Sequence, residues 1–201
     1  MKDKEKMLKG DLYIASSEEL KKDNLRARKF MHEYNIVAGI DDDYRKELVR
    51  NLFEKTGTNF KITSPFYCDY GIHITIGENF YANFGCIFLD VNKIIIGDNV
   101  MFGPRVGLYT ASHPTDPQVR IEGYEYGLPI IIEDNVWLGG DVIVNPGVTI
   151  GANSIVASGS VVTKDIPKNV IAAGVPAKVI REINENDKRV WEAKKQQYHQ
   201  E

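Results

Sequence analysis

The sequence predicts a mainly β protein, a solenoid of stacked six-residue repeats with helical segments before and after it. The first observation is that an aliphatic residue recurs at every sixth position late in the chain: Ile132, Leu138, Val144, Ile150, Val156 and Val162. The residues that follow them are mostly small or turn-forming. This period fits neither a helix of 3.6 residues per turn nor a strand that alternates every two residues.

Residues 1–58 are predicted to form a helical cap. Ser16 and Glu19 have the spacing of a capping box, and apolar residues then recur at helical spacing. A second helix is expected from the acidic run at residues 41–43 to Gly57, since acidic residues suit a helix start and glycine a helix end. We expect this segment to cover another part of the molecule rather than to catalyse.

The solenoid is predicted to span residues 59–183. A single coil cannot bury its inward side chains, so successive coils must stack on one another. The repeat is less regular upstream, where Ile76, Ala82 and Phe88 share one phase and Ile96, Phe102 and Leu108 share another. The phase shifts by two residues near Val91–Ile95, which predicts a local bulge there.

The repeat stops after Leu108 and resumes at Ile132. We therefore predict that residues 111–129 leave the solenoid as a loop, and long loops on a rigid scaffold are frequently functional. His113 lies at its start, beside Pro114, which cannot donate a ladder hydrogen bond. Residues 184–201 are predicted to form a helical tail that covers the open end of the solenoid or packs on a neighbour.

Composition excludes several functions. The net charge of −3 over 201 residues argues against a general nucleic-acid binder. No apolar run approaches the roughly 20 residues that cross a bilayer, and the charged N-terminus lacks the core of a secretory signal. We expect a cytoplasmic protein with no membrane partner and with Cys68 and Cys86 as free thiols. The histidines other than His113 are too dispersed to predict a metal site.

Several motifs follow one another along the chain: EKMLKGDLY, NLRARKFMHEYN, CDYG, NFYANF, YTASHPTDP, NVWLGG and AGVPAKVIREI. In this order they resemble the maltose and galactoside O-acetyltransferases among the hexapeptide-repeat acyltransferases. The resemblance implies a left-handed parallel β-helix, a maltose-acetyltransferase-type N-terminal cap and a homotrimer with active sites between subunits. It also implies acetyl-CoA as co-substrate, no metal, and transfer to a hydroxyl, commonly the 6-OH, of maltose, glucose or a galactoside.

The resemblance places the catalytic base at His113. Imidazole suits that role because its ordinary pKa lies near neutrality, so it can accept the proton of an attacking hydroxyl. Asn83 matches a position near the reacting centre, where its amide would donate to an oxyanion or hold the sugar. An asparagine at a solenoid corner is the competing explanation. Glu125 would orient His113 or contact the acceptor, unless it is a solvated loop carboxylate.

The remaining expected site residues divide between acceptor and co-substrate. The acceptor would meet Asp69, Tyr81 and Asp90 besides Asn83 and Glu125, although a turn would also explain Asp69. The residues expected at acetyl-CoA are Trp137, Gly139, Gly140, Ser158, Thr163, Lys164, Lys178 and Arg181. Cations suit its phosphates, and glycines would admit the pantetheine arm. The alternative explanations are a structural role at a solenoid corner for Trp137 and the glycines, and solvated surface charge for the cations.

Two alternative functions stay open at this level. One is acetyl transfer to another hydroxyl acceptor, such as a xenobiotic or a lipid-linked saccharide. The other is a non-catalytic trimeric scaffold, which would not require His113, Asn83 and Lys164 together.

Overall fold

Helices lie at both ends of the chain and in one excursion from the solenoid. In the computed structural model, which describes residues 1–200, they are α1 (Asp3–Lys9), α2 (Glu18–His32), α3 (Asp42–Leu52), α4 (Pro117–Ile121) and α5 (Glu185–Tyr198), with a π-helical turn at Glu33–Val37 that continues α2. None of the helices in this part of the chain is long and apolar enough to cross a membrane.

Two predicted helix ends are wrong. The N-cap of α2 is Ser17 rather than Ser16, so the predicted capping box does not form. The helix α3 ends at Leu52, well before Gly57, because the backbone of Phe53 is already extended. The Phe53 ring enters the core instead, where its centroid lies 5.9 Å from that of Phe66.

The strands are short and follow one another closely. In chain order they are β1 (Tyr13–Ile14), β2 (Phe60–Ile62), β3 (Phe66–Cys68), β4 (Ile74–Ile76), β5 (Phe80–Ala82), β6 (Cys86–Leu89), β7 (Ile94–Ile96), β8 (Met101–Phe102), β9 (Gly107–Tyr109), β10 (Ala111–Ser112), β11 (Tyr124–Gly127), β12 (Ile130–Ile132), β13 (Trp137–Leu138), β14 (Ile143–Val144), β15 (Thr149–Ile150), β16 (Ile155–Val156), β17 (Val161–Val162), β18 (Val170–Gly174) and β19 (Ala177–Glu182).

Parallel pairing gathers these strands into three faces. Face 1 contains β4, β7, β12 and β15; face 2 contains β2, β5, β8, β13, β16 and β18; face 3 contains β3, β6, β9, β14 and β17. The strand β19 folds back antiparallel on β18 and finishes face 2. The predicted parallel β-helix is confirmed, because the chain visits one face after another and stacks each coil on the last.

The core explains the six-residue period. The six aliphatic residues from Ile132 to Val162 that recur at this spacing are each at most 1% exposed. Fully burying one aliphatic side chain stabilises a fold by about 1.5–3 kcal/mol, so the repeat itself supplies the driving force. Helices α2 and α3 pack on the same core through Ala27, Phe30, Val49 and Leu52, which closes the first coil.

A ladder of asparagines forms the edge between faces 1 and 2. Each side-chain amide donates to the next at 2.7–3.0 Å through Asn59, Asn79, Asn99, Asn135, Asn153 and Asn169. From Asn79 onward these residues have φ between 57° and 63°. Asparagine tolerates this left-handed conformation better than most residues, so it suits a sharp corner that repeats in every coil.

Candidate active site

The predicted site residues lie along two different edges of the triangular solenoid. The Asn83 edge, between faces 2 and 3, consists of the residues that follow β5, β8, β13, β16 and β18. The His113 edge, between faces 3 and 1, consists of the residues that follow β3, β6, β9, β14 and β17. Asp69, Asp90, Thr163 and Lys164 belong to this second edge, and the excursion that contains His113 leaves from it after β9.

Strand register aligns the Asn83 edge along the solenoid axis. The pairing places Asn83 beside Gly103, and then Gly139, Ala157 and Ala173 follow on successive coils. Lys178 on β19 lies opposite Ala173 and ends the row. At about 4.8 Å per strand, Asn83 and Ala173 are about 19 Å apart. The edge therefore offers a long, straight track that ends at an exposed cation.

Two expected co-substrate residues on this edge have different structural constraints. A Cβ on Gly139 would lie 2.5 Å from Ser158 Oγ and 2.6 Å from Ser158 N, so coil stacking alone requires glycine there. A Cβ on Gly140 would meet only Pro104, at 3.3 Å. The side chain of Ser158 is exposed beside them. Gly140 and Ser158 thus have more freedom to meet a ligand than Gly139 has.

Face 2 presents an exposed apolar row next to the Asn83 edge. Tyr81, Met101 and Trp137 pair on successive strands, and their side chains are 36%, 51% and 47% exposed. Arg181 ends the same row, but its guanidinium donates two hydrogen bonds of 2.7 Å to Asp187. A phosphate at Arg181 would have to displace that carboxylate.

The excursion is an ordered hairpin with a short helix at its tip. The strand β10 pairs antiparallel with β11, and Ser112 lies opposite Tyr126. Asp116 caps α4 by accepting a hydrogen bond of 2.9 Å from the Val119 N–H. His113 follows β10 directly and is exposed. Its position is therefore determined by strand pairing.

Glu125 is held by the N-terminal segment. The strand β1 pairs antiparallel with β11, and Tyr13 Oη donates to Glu125 Oε2 at 2.8 Å. Burial and this carboxylate raise the pKa of Tyr13 well above its ordinary value. Sequence reasoning missed Tyr13, because no local pattern links it to a residue so distant along the chain. The proposed contact between Glu125 and His113 stays a prediction.

A cavity of about 280 Å³ opens where the cap, the His113 edge and the excursion meet. Its lining includes Asp69 and Glu125 together with Asn24, Tyr70 and Val91. Burial, and to a smaller extent the Glu125 charge, raise the pKa of Asp69 to about 6. Two carboxylates that accept hydrogen bonds beside an aromatic ring suit a ligand rich in hydroxyl groups. Asn24 and Tyr70 are further residues that sequence reasoning missed.

Asp90 does not face this cavity, so the expectation that it contacts the acceptor is wrong. Its side chain is fully buried, and its carboxylate accepts the backbone N–H groups of Asp69, Tyr70 and His73 at 3.1, 2.8 and 3.2 Å. Burial raises the pKa of Asp90 to about 7 despite these donors. The carboxylate is therefore committed to the backbone of the neighbouring corner.

Among residues 1–200, no group of three or more histidine, cysteine or acidic side chains is arranged to hold a metal ion. Cys68 and Cys86 are both buried as free thiols. Burial raises the pKa of each thiol, which disfavours the nucleophilic thiolate.

Two family models match the chain. One, described as the maltose acetyltransferase hexapeptide capping motif, matches residues 6–57. The other, described as bacterial transferase hexapeptide (six repeats), matches residues 129–164.

Known proteins are similar over almost the whole chain. The galactoside O-acetyltransferase of Escherichia coli (strain K12) is 44% identical over 93% of this chain and 92% of that protein. The crystal structure of a maltose O-acetyltransferase from Clostridium difficile 630 matches with a TM-score of 0.90 and 49% identity, over 92% of this chain and 98% of that one. A hexapeptide-repeat acetyltransferase from Vibrio cholerae O1 biovar eltor, complexed with acetyl coenzyme A, matches with a TM-score of 0.85 and 39% identity, over 92% and 100%.

Proposed function

The chain belongs to the maltose and galactoside O-acetyltransferase family of hexapeptide-repeat acyltransferases, and we propose that it acetylates a hydroxyl of a mono- or disaccharide. It is an acyltransferase whose co-substrate is acetyl-CoA. The finer proposal concerns the acceptor, the base and the assembly.

The observation that supports a sugar acceptor most directly is the cavity between Asp69 and Glu125. The carboxylates of Asp69 and Glu125 can accept hydrogen bonds from sugar hydroxyls, and Tyr70 and Val91 also line the cavity. The hairpin of β10 and β11 that holds Glu125 also positions His113. The candidate base and the candidate acceptor site are thus parts of one structural unit.

In the proposed reaction His113 takes the proton of the acceptor hydroxyl as that oxygen attacks the thioester carbonyl carbon. The carbon–sulfur bond then breaks, and His113 returns the proton to the departing thiolate. Asn83 or a backbone N–H stabilises the oxyanion, since a fixed donor aimed at developing charge lowers the barrier. No covalent enzyme intermediate is needed, which agrees with the buried state of both thiols.

We propose that the active site is completed by a second copy of the chain in a homotrimer. His113 and Asn83 belong to different edges of one solenoid, and face 3 separates those edges. A neighbouring solenoid that presents its Asn83 edge to the His113 edge brings the two groups together. Acetyl-CoA would then lie along Trp137, Gly140 and Ser158 toward Lys178, while Thr163 and Lys164 approach from the other subunit.

Initial rates of thiol release from acetyl-CoA, measured over a panel of acceptors, test the proposed function. We expect rates above the no-acceptor background with maltose, glucose or a galactoside. Rates at background for every sugar, combined with turnover of a non-sugar alcohol, would reject the sugar acceptor. The product of the best acceptor, examined by NMR, identifies the hydroxyl that is acetylated.

A further inference from the structure

Buried polar side chains are concentrated at one corner of the His113 edge. In residues 1–200 the buried polar set is His73, Asp90, Asn92, Thr110, Ser154 and Ser160. The first four of these surround the corner at residues 90–93. A buried polar group is costly unless hydrogen bonds satisfy it, so this concentration requires an explanation.

This corner is one of two on the His113 edge that are two residues longer than the six-residue repeat; the corner of residues 69–73 is the other, since Phe66 and Cys86 also pair at a separation of 20. Ile76 and Ile96 pair on face 1 although they are 20 residues apart, whereas Ile132 and Ile150 pair at a separation of 18. The additional two residues lie in the connection between β6 and β7. They widen the corner, and Asp90 and Asn92 are its inward polar side chains.

Asn92 links three separate segments. Its Nδ2 donates to the Gly127 carbonyl at 2.9 Å and to the Met7 carbonyl at 3.2 Å. Its backbone N–H donates to Thr110 Oγ1 at 2.8 Å, and that hydroxyl donates to the Leu89 carbonyl at 2.6 Å. Thr110 and Gly127 are the two ends of the excursion. The widened corner therefore fixes where the hairpin with His113 leaves and rejoins the solenoid.

Asp90 organises the opposite side of the cavity. Its carboxylate accepts hydrogen bonds from three backbone N–H groups in the corner of residues 69–73. These bonds hold Asp69 and Tyr70 in the cavity lining. The ring of His73 also contacts Asp90, with Nδ1 2.7 Å from the Asp90 carbonyl oxygen. One corner thus orders both walls of the cavity.

We propose that Asp90 and the Asn92–Thr110 pair are positioning residues for the acceptor, and that the two residues added at the corner of residues 90–93 give Asp90 and Asn92 their inward places. Asp90 sets the wall that contains Asp69 and Tyr70. Asn92 and Thr110 set the wall that contains Glu125, and with it the hairpin that holds His113. None of the three side chains touches the acceptor or the co-substrate. The proposal rests on the proposed function of this cavity.

Two variants that conserve shape separate the two walls. Asp90→Asn keeps one acceptor oxygen but replaces the other with a donor, so acceptor KM should rise about tenfold, as for one lost hydrogen bond to a charged group. Thr110→Val keeps the volume and removes the hydroxyl, so kcat should fall about three- to tenfold as the hairpin shifts. The KM for acetyl-CoA should stay within about twofold in both, because the Asn83 edge is unchanged.

Ser154→Ala is the matched control. Its hydroxyl is equally buried, donates to the Pro167 carbonyl at 2.8 Å and accepts from the Val170 N–H at 3.2 Å, at the opposite end of the solenoid. We expect it to lower the unfolding midpoint without changing acceptor KM. If Asp90→Asn alters acceptor KM, and Thr110→Val alters kcat, no more than Ser154→Ala does, the proposal is wrong.

Hydrogen exchange separates this proposal from the proposed function. Amides at residues 69–73 should lose protection in Asp90→Asn, and those at residues 111–127 in Thr110→Val, whereas Ser154→Ala should leave both segments protected. An inactive wild-type protein that shows this pattern would reject the sugar acetyltransferase assignment and retain the structural role of the corner. Uniform loss of protection in all three variants would overturn the positioning role.

Discussion

Tyr13 Oη donates a hydrogen bond of 2.8 Å to Glu125 Oε2, although the two residues are 112 positions apart. The register of β1 against β11 places them directly opposite each other. The N-terminal segment therefore does more than cover the first coil, since it also holds the hairpin on which His113 depends.

Removing that hydroxyl tests the connection. Tyr13→Phe should raise acceptor KM about three- to tenfold and lower the free energy of unfolding by about 1 kcal/mol, the usual size for one hydrogen bond. Steady-state kinetics and urea unfolding measure the two effects. Tyr67→Phe, at a tyrosine that is 46% exposed on face 3, is the control. Equal acceptor KM values for Tyr13→Phe and Tyr67→Phe would contradict a role for Tyr13 at the site.

The glycine pair on the Asn83 edge gives a second prediction. Gly139→Ala places a methyl group against the backbone of Ser158, so it should lower the free energy of unfolding by about 1–3 kcal/mol. In Gly140→Ala the added methyl group contacts only Pro104, so the free energy of unfolding should fall much less. Denaturant unfolding compares the two variants directly. A smaller loss of stability at Gly139 than at Gly140 would contradict the stacking geometry.

Asp69 should make stability depend on pH in an unusual direction. Its pKa is about 6 in the folded chain, against an ordinary value of 3.8, so the folded state binds the proton more tightly. Its contribution to the free energy of unfolding therefore falls as pH rises from about 4 to about 6, by at most about 3 kcal/mol.

The measurement is the difference in unfolding free energy between the wild type and Asp69→Asn over pH 4 to 7. Groups distant from Asp69 titrate alike in both proteins and cancel in that difference, whereas the coupling of Asp69 to Glu125 and Asp90 remains part of it. We expect the difference to change mainly between pH 4 and 6 and to level off by about pH 7. Parallel curves throughout would show that Asp69 is not buried as described.

The hexads could be read from sequence because each repeat uses the same inward position. Ile132 and Val162 are buried as the period requires, and the two-residue phase shift corresponds to the widened corner at residues 90–93. The spacing along the chain is enough to predict it, since the same position of each coil packs into the core.

The site was less predictable, because its contacts are not local. The role of Asp90 depends on three backbone N–H groups of another coil, and an aspartate beside a family motif gives no sign of that. The pairing of β1 with β11 was also missed, since β1 has only two residues. Gly139 likewise has a packing reason that becomes visible only when Ser158 is stacked against it.

Mixing two defective variants tests the shared active site. His113→Ala and Asn83→Ala should each have little activity alone. In randomly mixed trimers, a site built from His113 of one subunit and Asn83 of the next is intact in about a quarter of cases, so activity should recover to about 25% of wild type. No recovery in trimers verified by mass spectrometry would place both groups in one chain.

The turnover of His113→Ala tests directly whether this imidazole is the general base. We expect kcat to fall by ~10²–10⁴-fold, as for loss of a positioned acid–base group, while calorimetric binding of CoA and the unfolding midpoint stay at wild-type values. Wild-type turnover in that variant, with the assembly and CoA binding intact, would contradict that role.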